Sequence, residues 1–216
     1  VAFAVLLRVL AAIVWQYQCS NLGATLRFGD SQSYWTIARN LVVDGQYQYG
    51  SDQSRIFRAP IYPLFLTPFV SCEYYILGNS AQMPSVLLAR LAGCLLGGSV
   101  VWLLMHWTRQ IAGEIAARFA GLLAATYSGA VGMSIFVLSE AVATPLFVAS
   151  CWMLWQSAGR LQANQQSREY RSDWLWAAGA AIAFGLASLA RPSWGLWPAI
   201  VFPFMLLASN RRRGGA

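Results

Sequence analysis

The sequence predicts an all-α protein, a polytopic transmembrane helix bundle of about six spans with a long outer loop between the first two. Two observations carry that expectation. Apolar residues make up 57% of the chain and charged ones 11%, whereas soluble domains run at about 25% charged. That is too little polar surface to face water. The apolar residues also fall in runs of about 20, long enough to reach across a hydrocarbon core. The 18 glycines and 10 tryptophans suit close helix packing and interfacial aromatic belts.

In order, 1–15 reads as the first span, with Arg8 either snorkelling to the interface or facing the bundle. Segment 16–84 is the outer loop, within a single module covering 1–216. Gly29 breaks the chain, Asp30 is placed to cap, and Tyr34, Trp35, Ile37, Ala38 and Leu41 recur at helical spacing to about Val43. Such an aromatic, amphipathic helix suits the plane of a membrane surface. Asp44-Gly45 makes a turn, and a polar loop leads to Arg58. Pro60, Pro63 and Pro68 argue against one straight spanning helix, so 64–77 reads as re-entrant or interfacial. Spans follow at 86–107, 119–131, 136–156, 174–189 and 194–208. The small face of Gly93, Gly97 and Gly98 is suited to a close neighbour.

The net charge of +7 comes wholly from arginine. Arg109, Arg118, Arg160, Arg168, Arg171 and Arg211 to Arg213 fall on one side in short loops, which makes that side cytoplasmic. The scattered arginines and the lack of any binding motif argue against a nucleic-acid partner. Cys19, Cys72, Cys94 and Cys151 form no C-x-x-C, and His106 is the sole histidine, which disfavours a zinc site. Cys19 and Cys72 flank the outer loop and are read either as a pair in an oxidising compartment or as free thiols.

The candidate chemistry gathers at the outer face. Asp30 is read as a general base or as a helix cap. Glu140, at the start of the fourth span, is an acid at the same face or a helix-end charge. Arg58 and Arg191 sit beside prolines, each a bidentate phosphate ligand or an interfacial arginine. Tyr34 and Tyr62, with Trp35 and Phe65, form an aromatic platform or part of the interfacial belt. Asp44 and Asp52 are turn residues.

Asp30-Ser31-Gln32-Ser33-Tyr34, Asp44-Gly45-Gln46-Tyr47 and Arg58-Ala59-Pro60-Ile61-Tyr62-Pro63 open the pattern. Ala89-Arg90-Leu91, Leu138-Ser139-Glu140 and Gly185 to Pro192 continue it. In this order they resemble the membrane glycosyltransferases of the GT-C fold. The nearest branch is the dolichyl-phosphate-mannose-protein mannosyltransferase-like group, with the bacterial lipopolysaccharide core and lipid A sugar transferases. The resemblance implies a polyprenyl-phosphate-linked sugar donor and a glycan, lipid or protein acceptor. It implies inversion at the anomeric carbon on the outer, periplasmic face of the plasma (inner) membrane. Asp30 matches the acid of the first outer loop, the family's catalytic base. Where many members carry a second acid, this chain has Ser31, which counts against a metal bridged by that pair and against protein mannosylation. No cofactor is expected, and a divalent metal stays open. The family has about twice as many spans, so the resemblance implies an N-terminal part of a longer protein. The rival readings are a non-catalytic membrane fragment or assembly subunit, and a transporter with ionisable residues in mid-span.

Overall fold

The protein is described here from a computed structural model, which covers residues 1–50, 58–77, 82–163 and 171–197. The described residues form helices joined by turns and short loops, without a strand. In chain order the helices are α1 (Ala2–Asn21), α2 (Gly29–Asp44), α3 (Ile61–Ser71), α4 (Gln82–Thr126), α5 (Ser128–Ile135), α6 (Glu140–Ala163) and α7 (Arg171–Ala190). A π-helical turn, Cys72–Leu77, extends α3, and a 3-10 turn, Pro192–Leu196, follows α7. Among the described residues, two helices, α1 and α4, are long and apolar enough to cross a membrane; Ile61–Leu77 and Trp174–Ala190 are shorter apolar stretches. The proposed sixth span lies almost wholly outside the described residues, as does Asp52.

Several boundaries differ from those expected. The first span continues past Trp15 to Asn21. Within this extension Gln16 donates to the Met83 carbonyl at 3.1 Å and accepts from buried Arg90, while Tyr17, Gln18, Ser20 and Asn21 stay exposed. Helix α4 is a hairpin. Gly113 has φ +84°, a backbone conformation that glycine adopts without strain. Around it the chain doubles back, with Met105 against Gly121 and Val101 clustered with Ala124 and Ala125. The expected span 119–131 is therefore the returning arm, which starts just after Gly113 and breaks at extended Tyr127 before α5.

Arg8 explains how that break survives. It is 1% exposed and faces the bundle. Its guanidinium donates to the carbonyls of Ala124 (3.1 Å) and Ala125 (3.2 Å), and Nε reaches Ser134 Oγ at 3.3 Å. A helix end leaves carbonyls without intrahelical partners, and the arginine supplies them. The glycine stripe is used as expected. A Cβ on Gly93 would collide with the Ser134 carbonyl, one on Gly98 with Val5, and one on Gly97 would lie 2.8 Å from Arg8 Nε. Helices α1 and α5 thus pack directly on α4 backbone.

Helix α3 tolerates its prolines for local reasons. Pro60 precedes the first turn, Pro63 falls within it, and Pro68 removes the N–H that would bond the Leu64 carbonyl. Thr67 Oγ1 donates to that carbonyl instead, at 2.8 Å. Tyr62, Leu66 and Val70 recur along one buried face and join Tyr34, Trp35 and Ala38 of α2 in the main core. Trp35 is 2% exposed. The aromatic face of α2 therefore packs on protein, not flat on lipid as expected. Burial from water is worth about 1.5–3 kcal/mol for each large apolar side chain. Large apolar side chains stay exposed elsewhere, including Phe3, Leu6, Leu10 and Ile13 on α1 and Trp174, Leu175 and Ile182 on α7.

Candidate functional site

Helix α2 starts at Gly29 with Phe28 at the N-cap and no side-chain cap bond. Asp30 is thus not the cap. It stands in the first turn, where the helix dipole favours negative charge. Its carboxylate pairs with Arg58, and its side chain is 58% exposed. Arg58 precedes α3 and is held from several directions. Nε donates to Ser33 Oγ at 3.2 Å, the guanidinium lies 5.2 Å from the Tyr34 ring centroid, and the Arg58 carbonyl accepts from Tyr47 Oη at 2.6 Å. Burial, with a smaller effect from nearby Tyr34, pushes the Tyr47 hydroxyl up to about 12, so it remains a donor at neutral pH.

A second ion pair lies alongside. Glu140 is the first residue of α6 and Arg191 immediately follows α7; the two pair across the end of the α6–α7 hairpin. Extended backbone at Arg191 and the proline after it end α7 there, and Arg191 Nε also donates to Ser193 Oγ at 3.0 Å. The pairs are linked. Tyr34 Oη hydrogen-bonds Ser139 Oγ at 3.3 Å, and Ser139 Oγ hydrogen-bonds Glu140 Oε2 at 3.3 Å.

Asp30, Arg58, Glu140 and Arg191 line one open cleft of 490 Å³, with Tyr34 and Ser139 between the pairs. The sequence expected these four on one face, and the structure brings them together. Glu140 also lines a second, mostly apolar groove of 380 Å³, bounded by Gly97, Val100 and Leu104 of α4, Tyr127, Met133 and Val148. The polar cleft and the apolar groove therefore meet at Glu140, which lines both.

Comparison with protein-family models, curated proteins and solved structures returns no match.

Tyr62 requires a correction. It is 2% exposed and does not line the cleft. It packs edge-on against Tyr34, 5.0 Å between centroids, and stacks on Phe65 at 5.9 Å. The inward stripe of α3 holds it beneath the site, where it supports the Tyr34 ring. Ser33, Tyr47 and Ser139 stand within the motifs quoted above but were given no role there, and Ser193 lies outside them. Ser33 and Ser139 carry a signal in hindsight, being one helical turn from Asp30 and next to Glu140. Tyr47 closes the Asp44-Gly45-Gln46-Tyr47 motif, and Ser193 carries no signal beyond following Arg191-Pro192.

Cys19 and Cys72 are free thiols, and Arg90 donates to buried Cys19 Sγ at 3.7 Å. The described residues hold no cluster of three or more His, Cys, Asp or Glu that would bind a metal ion. What the cleft offers is two carboxylates able to accept protons or hydroxyl hydrogen bonds, and two guanidinium groups able to bind an oxyanion.

Proposed function

We propose that the protein is a multi-pass membrane glycosyltransferase module, similar to the GT-C group, that moves a sugar from a polyprenyl-phosphate donor to an acceptor hydroxyl at the outer face. One observation supports it above others: two acid–arginine pairs share a polar cleft that meets an apolar groove at Glu140. A prenyl-phosphate has the same division, a charged head and a greasy tail. The lengths also suit a bundle of about six spans. Helix α6, 24 residues, rises about 36 Å, and α7, 20 residues, about 30 Å.

In this mechanism Asp30 takes the proton of the acceptor hydroxyl. The hydroxyl oxygen attacks the anomeric carbon from the side opposite the phosphate. The bond from that carbon to the phosphate oxygen breaks, and the lipid phosphate leaves with the electron pair. Arg58 and Arg191 face the charge as it develops. An arriving phosphate competes with Asp30 for Arg58 and thereby frees the carboxylate to act. Glu140, held through Ser139, fixes Arg191. A phosphate is a good leaving group, so one base suffices where glycosidases use two carboxylates.

The test is sugar transfer in membranes carrying the full chain, with Asp30→Asn alongside. A fall of about 10²–10⁴-fold is expected, the usual worth of a general base. Transfer at the wild-type rate would remove Asp30 from the chemistry.

The completeness of both ion pairs favours a second reading, a structural clamp in a non-catalytic membrane subunit. Under that reading the intact chain transfers no sugar, and Asp30→Asn lowers thermal stability alone.

A further inference from the structure

We propose that Tyr34 and Ser139 act as a positioning relay that joins the two arginines of the cleft into one oxyanion clamp. The oxyanion is the departing lipid phosphate of the transferase reading, on which this rests. What is new is that the two ion pairs respond to it as a unit.

The relay has a direction. Glu140 pairs with Arg191 as a carboxylate, and a carboxylate only accepts hydrogen bonds. Ser139 Oγ therefore donates to Glu140 Oε2, at 3.3 Å, and its single proton is engaged there. Its lone pairs are left to accept, and Tyr34 Oη donates to them, also at 3.3 Å. At the ring of the same tyrosine, the Arg58 guanidinium lies 5.2 Å from the centroid, close enough for an aromatic face to attract a cation. A cation over the ring draws electron density from the phenol and strengthens its hydroxyl as a donor. Successive hydrogen bonds polarise one another, so the state of Arg58 is felt at Glu140 and hence at Arg191.

The members of the relay are fixed from outside it. Tyr34 is 7% exposed and Ser139 3%, so water competes little for their bond. Tyr62 braces the Tyr34 ring edge-on. The Ser139 carbonyl accepts from the backbone N–H groups of Val142 (3.2 Å) and Ala143 (2.9 Å). Its hydroxyl therefore moves with α6, whereas Tyr34 moves with α2. The relay ties these two elements together at the level of the cleft. An oxyanion that binds Arg58 displaces Asp30 and shifts the guanidinium over the ring, which changes the hold of Glu140 on Arg191. Engaging one arginine then favours engaging the other. Without the relay, each arginine keeps its own acid and meets the anion separately.

The test is binding of farnesyl phosphate to the full chain in lipid nanodiscs, by calorimetry, with empty nanodiscs as reference and no acceptor present. Inorganic phosphate is the second probe. Tighter binding of farnesyl phosphate identifies a lipid headgroup; equal binding supports the clamp but assigns it to free phosphate. Tyr34→Phe keeps the ring under Arg58 and deletes the hydroxyl, and should weaken binding about fivefold, the net worth of one hydrogen bond. Ser139→Ala should do the same, and Ser139→Thr, which restores a hydroxyl, should recover it. Arg118→Gln, at the other end of the bundle, should bind as wild type. The deciding readout is a cycle of Arg58→Gln and Arg191→Gln. In the wild-type background their combined loss should fall short of the product of the single losses, and with Tyr34→Phe the losses should multiply. A merely structural tyrosine would lower the thermal unfolding midpoint and leave that shortfall intact. A shortfall that survives Tyr34→Phe overturns the proposal, as does wild-type affinity in that variant or no binding of either probe. A chain that binds phosphate through the relay yet transfers no sugar sinks only the transferase reading, and transfer that ignores Tyr34→Phe sinks only the relay.

Discussion

At Asp30, the arginine that orients the carboxylate also competes with the proton it would accept. Arg58 therefore has two duties, and both depend on the planar fork of its guanidinium. Arg58→Lys keeps the charge but loses the fork and its packing over Tyr34. Its kcat is expected to fall at least about tenfold in the transfer assay, with protein yield unchanged; a wild-type rate would show that charge alone suffices. Glu73 gives a test that needs no substrate. Burial raises its folded-state value, so folding favours the protonated form. Its contribution is complete at pH values below the ordinary carboxylate range and is lost as pH rises through the raised value. Glu73→Gln imitates the neutral form. Its melting temperature relative to wild type should therefore be higher at pH 7 than at pH 4. A difference that stays constant with pH would mean that the carboxyl titrates normally.

At the scale of elements, the sequence disclosed the punctuation better than the packing. Gly113 sits midway through the polar stretch read as a turn, and the glycine stripe on α4 announced a close neighbour. Asp30, Arg58, Glu140 and Arg191 were legible because each lies at a helix end beside a breaker or a motif. Helical periodicity marked an aromatic face on α2 but does not distinguish a protein surface from lipid, so α2 was laid on the membrane when it packs on α3. The break at Tyr127 was illegible for a different reason. It follows no proline, and its exposed carbonyls are satisfied by Arg8 from another helix. Arg8→Leu should leave the Ala124 and Ala125 carbonyls unpaired, at a cost of about 1–3 kcal/mol each. A depressed melting temperature in detergent would report it, and an unchanged one would refute the capping role. Gly93→Ala places a methyl against the Ser134 carbonyl and should cost about 1–3 kcal/mol as overpacking, read in the same way.

For the whole molecule, the polar cleft lies at one end of the bundle and the Gly113 hairpin at the other. Gln110 lies beside Trp152 and Gln156, well along α6 from Glu140. If the bundle crosses a membrane, single cysteines at Gln46 and Ala112, in a background without the native thiols, should be labelled by an impermeant maleimide from opposite sides. Labelling of both from one side would end the six-span topology. The contact between α1 and the returning arm also bears on biosynthesis. Arg8 waits for an acceptor 117 positions later in the chain. At about 5–20 residues per second, the ribosome needs roughly 6–23 s to make that stretch. For that interval the nascent first helix carries a cation with none of its distant carbonyls yet made. It must linger beside headgroups or insertion machinery until the fourth helix has turned back, so the order of synthesis and the order of assembly in this protein are offset by design of a single side chain.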